Sequence, residues 1–273
     1  MKIVLEIIKW IDKKILFSLF INLKKNFYYL VKLKIKKKIV INNFENKSNY
    51  ENKSFIINNN NEISELCELY GSDKGYKNLN KLKPYPWKSH SYSNFYFNLF
   101  NHCKNEIKLI FECGIGSNDP KIISSMGISG KPGASLRVWK DYFKNAKIFG
   151  ADIDKNCLFQ EDRIKTFYVD QLNNESIKEM WKNISSNNFD IIIDDGLHSE
   201  DAATSLFFNS FHKLKNGGIY IIEDVHYNYI NSLYKKLFSY SPEVIILNDS
   251  QRHMTEDDSV SMDNNLIIIR KIN

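Results

Sequence analysis

Cysteine is scarce in this 273-residue chain: Cys67, Cys103, Cys113 and Cys157 are scattered, and no two form a C-x-x-C pair. That spacing offers neither a disulfide framework nor a structural zinc site, and it reads as free thiols in a reducing compartment. Long apolar runs are missing too. The best candidate, ILFSLFINL (Ile15 to Leu23), is bracketed by lysine pairs and falls short of the ~20 apolar residues that span a bilayer. No cleavable leader is evident, because Lys9, Lys13 and Lys14 interrupt the first apolar stretch without a small-residue cleavage site. The body also lacks positive charge. The net charge is +6, yet residues 1–40 hold eleven Lys against Glu6 and Asp12, which leaves the rest net negative. A nucleic-acid enzyme would carry its basicity on the catalytic domain. The expectation is a cytoplasmic protein with no nucleic-acid partner.

What is present suits one large α/β domain with an appendage, since 43% of the residues are hydrophobic and 14% aromatic. Residues 1–41 form a basic arm with apolar residues at roughly helical spacing, among them Ile3, Ile7, Trp10 and Ile11. Such an arm either lies on an anionic membrane surface or packs on the body or on another subunit of a homo-oligomer. Residues 42–62 repeat the word ENKS and are too polar to order themselves, which marks a linker. From residue 63 to 273 the chain reads as globular. Two helices, ISELCELY before Gly71 and the aromatic YSNFYFNLFNHC, precede an alternation of strands and helices. The strands are IKLIFECG, AKIFGADI, IKTFYVD, FDIIIDD and GIYIIED, and a short helix is expected over NCLFQED. Near-continuous apolar strands between amphipathic helices predict a parallel sheet covered on both faces. VIILND and NLIIIRK have no helix between them and predict an antiparallel pair at one edge.

Several strands end in acids. FECGIGSND carries Glu112 before Gly114 and Gly116, whose backbone would allow a ligand to approach closely. A long loop then precedes a helix that begins near Ser135. Asp152 ends the strand within KIFGADID, where it would accept hydrogen bonds from ribose hydroxyls or cap a helix. Asp170 ends FYVDQL, where it would hold an adenine amino group or simply close a turn. Asp194 and Asp195 end FDIIIDDGLH, and Glu223 and Asp224 end GGIYIIEDVH. If these two strands are parallel neighbours, about 4.8 Å apart, then Asp195, Glu223 and Asp224 converge. Uncompensated carboxylates in one spot need a cation, and oxygen ligation suits Mg²⁺ or another hard divalent ion such as Mn²⁺. His198 would sit at the rim of that site as a general base. Asp194 either contacts a cofactor or braces its neighbour.

Taken in order, these motifs resemble the class I S-adenosylmethionine-dependent methyltransferases. ECGIG matches the first motif, Asp152 the ribose-binding acid and Asp170 the adenine contact. ECGIG, GASLRVWKDYF, DDGLH and GGIYIIEDVH together look like the metal-dependent sugar O-methyltransferases of the macrocin and mycinamicin type, and YGSDKG and HSYSNFY resemble that family's entry segment. The likeness covers about residues 64–270. It implies a Rossmann-like seven-stranded sheet, order 3-2-1-4-5-7-6, with the last strand antiparallel. It also implies that S-adenosylmethionine is bound by Glu112, Gly114, Gly116, Ser135, Asp152, Asp170 and Asp194, and the metal by Asp195, Glu223 and Asp224, with His198 as the base. Methylation of a sugar hydroxyl follows, and we expect a nucleotide- or carrier-linked sugar of bacterial surface-glycan synthesis. The alternative acceptors on the same fold are a catechol-type hydroxyl and a phospho-amine.

Overall fold

A computed structural model of the chain describes residues 60–75, 84–85, 87, 89–247 and 263–272. The expected basic arm lies outside the described residues, as does the expected linker apart from residues 60–62. Among the described residues, no helix is long and apolar enough to cross a membrane.

The isoleucine-rich segments make the sheet. β5 (Phe189–Asp194) is buried at every position, so both of its faces need cover, as in a parallel sheet between helix layers. It pairs in parallel with β1 (Leu109–Cys113) on one side and with β6 (Leu214–Ile222) on the other. Beyond β1 lie β2 (Lys147–Asp152), β4 (Ile164–Tyr168) and the two-residue edge strand β3 (Gln160–Glu161). Beyond β6 come β8 (Asn265–Arg270), antiparallel to it, and β7 (Glu243–Ile246) at the far edge. The eight strands run in the order β3-β4-β2-β1-β5-β6-β8-β7. Without β3, this is the order expected from the sequence, with the last strand antiparallel. The strand order reverses between β1 and β5, and the crevice at their C-terminal tips is where open α/β sheets bind ligands.

Alternation along β1 sends Ile110 and Glu112 to one face and Phe111 to the other. On the first face, Tyr96 of α2 (Tyr92–Phe100) meets Trp139 of α3 (Ala134–Tyr142) with ring centroids 4.9 Å apart. The preceding helix, α1 (Glu62–Tyr70), starts where the Asn61 side chain accepts the Ser64 N–H and stops at Gly71, whose φ of 78° suits a left-handed helix cap. On the second face, Phe111 lies 4.6 Å from the ring of Trp181 in α4 (Asn174–Ile184). α5 (Glu200–Ser210) is capped by Ser199, which accepts the Ala202 N–H.

Two local expectations need correction. NCLFQED is not a helix. Asp154 accepts the Asn156 N–H and closes one 3₁₀ turn (Lys155–Cys157), after which the chain turns into β3. The Thr166 hydroxyl, which accepts the Phe159 N–H at 2.6 Å, ties that hairpin to β4. The stretch after His226 contains a further helix, α6 (Ile230–Lys236), which the sequence reading does not include.

Candidate functional site

The tips of β1, β2, β4, β5 and β6 open onto a cavity of about 570 Å³, a volume in the range of small-molecule sites. Gly114, Gly116, Ser135, Asp152, Asp170 and Asp195 all line it. The turn after β1 is held from both sides: the Gly114 N–H donates to the Ala151 carbonyl at 2.8 Å, and the Asp195 N–H donates to the Cys113 carbonyl at 2.8 Å. Gly114 has φ 86°, and a Cβ there would lie 1.9 Å from the Asp195 carbonyl oxygen. The glycine therefore makes room for the chain's own β5 tip before it makes room for any ligand. Gly116 (φ 88°) does the same for the Met126 side chain, 2.4 Å from such a Cβ.

Asp152 uses both oxygens on backbone: Oδ2 accepts the Ile115 N–H and Oδ1 the Asp154 N–H, each at 2.9 Å. Burial raises its pKa against those hydrogen bonds. Asp170 accepts the Leu172 N–H at 3.0 Å, so it closes a turn while lining the cavity. Glu112 departs from the expectation. Its alternation on β1 places it under α3, fully buried, where Oε2 accepts the Trp139 indole N–H at 2.6 Å, and it does not line the cavity. Asp194 is buried too and is not in the lining. Its Oδ1 accepts the Gln171 amide at 2.6 Å, and Gln171 Oε1 in turn accepts the Leu197 N–H at 3.0 Å. These bonds brace the loop that carries His198, and burial pushes the Asp194 carboxyl up to about 6.

Asp195, His198 and Asp224 come together, each offering a ligand atom within 4.8 Å of the others. His198 Nε2 lies 3.2 Å from Asp195 Oδ1 and 3.5 Å from Asp224 Oδ2. Burial opposes a charge on this imidazole, but Asp224 and Asp195 outweigh it and raise its pKa to about 10. Asp195 is partly buried, yet Lys74 and His198 hold its carboxyl well below the usual range. The two carboxylates make an oxygen donor pair that fits a hard divalent ion such as Mg²⁺ or Mn²⁺, with the imidazole beside them.

Glu223, expected in this group, is turned elsewhere. Its neighbour Asp224 faces the cavity, while Glu223 is buried and pairs with the Lys74 ammonium and the Tyr96 hydroxyl. Lys74 also lies 2.6 Å from Asp195 Oδ2 and 3.3 Å from Glu112 Oε1. Tyr92 supports Asp224, donating to Oδ1 at 2.6 Å and accepting the Asp224 N–H at 3.1 Å. His198 (φ 54°) and Asp224 (φ 49°) both adopt left-handed backbone, a conformation that L residues disfavour and that clusters at functional sites. The Tyr229 hydroxyl reaches both of them, 2.8 Å from the His198 carbonyl and 3.3 Å from that of Asp224. The sequence reading missed Lys74, Tyr92, Tyr96, Gln171 and Tyr229 as site residues. The segments YGSDKG and HSYSNFY were the available signal for the first three.

No family model matches the chain. Its sequence is similar to that of 8-demethyl-8-alpha-L-rhamnosyl tetracenomycin-C 2'-O-methyltransferase from Streptomyces olivaceus, 30% identical over 61% of this chain and 38% of the relative. It is also similar to demethylmacrocin O-methyltransferase from Streptomyces fradiae, 33% identical over 51% of this chain and 33% of the relative. Mycinamicin VI 2''-O-methyltransferase from Micromonospora griseorubida is 31% identical over 50% of this chain and 32% of the relative. The chain thus matches under two fifths of the length of each of these relatives. Among solved structures, the MycE methyltransferase of the mycinamycin pathway, in complex with Mg, SAH and mycinamycin VI, superposes with a TM-score of 0.55. It is 24% identical, over 78% of this chain and 54% of that one. The fold is that of the MycE methyltransferase, and the sequence relatives are O-methyltransferases, in line with the resemblance stated from the sequence.

Proposed function

We propose that this chain is a divalent-metal-dependent methyltransferase that moves the methyl group of S-adenosylmethionine to a sugar hydroxyl. The observation that carries the reading is the placing of Asp195, His198 and Asp224 at the rim of the cavity formed by the Gly114 turn and the strand tips. The donor would lie along Gly114, Gly116 and Ser135, with Asp152 and Asp170 toward its ribose and adenine. The sugar would enter beside His198, which is one-third exposed.

A divalent ion held by Asp195 and Asp224 would supply positive charge that makes the acceptor hydroxyl more acidic. His198 Nε2 would take the hydroxyl proton once those carboxylates are engaged elsewhere and no longer hold the ring as a cation. The remaining work of the chain is to align oxygen, methyl carbon and sulfur, a positioning task. Gln171 serves that task by fixing Asp194 and the loop that presents His198, and Tyr92 by fixing Asp224.

For the acceptor we favour a sugar on a nucleotide or lipid carrier, as in surface-glycan synthesis, on the ground that a reducing compartment would hold such substrates. The relatives favour a second reading, a sugar on a product of the tetracenomycin, macrocin or mycinamicin type. Labelled S-adenosylmethionine with a panel of sugar nucleotides, carrier-linked glycans, glycosylated macrolides and catechols separates these. Transfer to a sugar that stops in EDTA and returns with Mg²⁺ is expected. Transfer to catechol alone, or full activity in EDTA, refutes the reading.

A further inference from the structure

We infer that Lys74 is a positioning residue that sets which oxygen of Asp195 is offered to the metal. The inference rests on the metal site proposed above. Lys74 is 2% exposed, a rare state for a lysine side chain. Its ammonium sits among Glu112, Asp195 and Glu223, the acids that end β1, β5 and β6. Asp195 divides its two oxygens between this cation and the metal group: Oδ2 lies on Lys74, and Oδ1 faces His198. A carboxylate on one sp³–sp² torsion otherwise swings broadly. A cation fixed on Oδ2 removes that freedom and leaves Oδ1 aimed at the cavity.

The lysine backbone is itself anchored, so the ammonium is not on a loose tether. The Ser93 N–H at the start of α2 donates to the Lys74 carbonyl at 2.8 Å, and the His90 N–H donates to the Asp73 carbonyl at 2.7 Å. Gly75, next in the chain, lies so close to Ser93 that a Cβ would meet its hydroxyl at 2.1 Å. The same α2 sends Tyr96 to Glu223 and Tyr92 to Asp224. α2 thus holds two acids directly, and Lys74, anchored to its first turn, adds Asp195 and Glu112 to the same group. An ammonium suits this place because it is a compact charge with three donors, matching three carboxylates.

A mere counter-charge and a positioning residue predict opposite effects on metal binding. If Lys74 only placed positive charge near the site, removing it would tighten binding of a cation. If it aims Asp195, removing it weakens binding. The test uses the full-length chain and Mn²⁺ alone as the probe, with free Mn²⁺ read by electron paramagnetic resonance. S-adenosylhomocysteine affinity is measured in parallel by calorimetry. Lys74→Met is expected to weaken Mn²⁺ binding by 10- to 100-fold, roughly the loss seen when a residue supporting a metal ligand is removed. S-adenosylhomocysteine binding is expected to hold. Lys74→Arg keeps the charge but replaces the ammonium with a planar fork, so it is expected to show a smaller, equally selective loss. It also serves as the readout if the Met variant does not fold.

Unchanged or tighter Mn²⁺ binding in the variant that folds overturns the inference and leaves the metal site standing. Parallel loss of Mn²⁺ and S-adenosylhomocysteine binding overturns it in favour of a structural ion pair. A wild-type chain that binds no Mn²⁺ removes the metal site and the inference together.

Discussion

Replacing Gly114 by alanine tests whether the turn after β1 is shaped by the chain itself. Two separate effects meet at this position. The first is the left-handed backbone at φ 86°, which costs an L residue about 1–2 kcal/mol. The second is contact: the new Cβ would stand 1.9 Å from the Asp195 carbonyl oxygen and 2.4 Å from its carbonyl carbon. Ordinary contact begins near 3.4 Å, so the β5 tip would have to retreat by roughly 1.5 Å, and overpacking of this kind adds about 1–3 kcal/mol. Gly217 is the control. Its φ is 78°, but a Cβ there meets nothing within 4 Å, so Gly217→Ala should lose only the backbone component. Urea denaturation should therefore place Gly114→Ala about 1–3 kcal/mol below Gly217→Ala in stability. Because the displaced atoms belong to Asp195, the proposed methyl transfer in the folded Gly114→Ala fraction should fall on the order of 100-fold. Equal stability of the two variants, with Mn²⁺ binding intact in both, would refute the claim that Gly114 exists to admit the β5 tip.

Two further predictions follow from titrations. Burial pushes the thiols of Cys67 and Cys157 up to about 12 and raises Cys113 as well, so at pH 8 the thiolate fraction of Cys67 and Cys157 is on the order of 10⁻⁴. Native protein should react with a disulfide reagent at Cys103 first, the least buried of the four, and all four should react in denaturant; fast native labelling of Cys67 would contradict the packing of α1. In metal-free protein the His198 ring, raised from 6.5 to about 10 by Asp224 and Asp195 against burial, stabilises the fold fully below pH 6.5. That contribution disappears as the pH rises through 10, so His198→Gln should flatten the alkaline limb of a stability–pH curve, and an unchanged limb would place the ring away from both acids.

The parallel part of the sheet was legible because β1, β2, β4, β5 and β6 are apolar segments with an acid at or just past their tips, and because helices separate β1 from β2, β4 from β5 and β5 from β6. The hairpin after β2 was not legible. Leu158 and Phe159 look like one face of a short helix, and only Thr166, seven residues after Phe159, shows that the chain doubles back. Asp195, Asp224 and His198 could be read from their strand ends. Glu223 could not be told from Asp224 next to it, since the partner that claims it, Lys74, is 149 residues away in sequence. The partner of Asp194 was hidden for the same reason: Gln171 lies on a different strand tip.

The placing of α2 bears on engineering of the acceptor. A helical segment ahead of the sheet invites exchange between relatives as a cassette that would change specificity and nothing else. Here that segment is not modular. Residues 74, 92 and 96 supply the groups that hold Glu112, Asp195, Glu223 and Asp224. A chimera joined after residue 100 would carry foreign wiring into the candidate site, so a workable junction must either keep these three side chains or import the strand tips along with them.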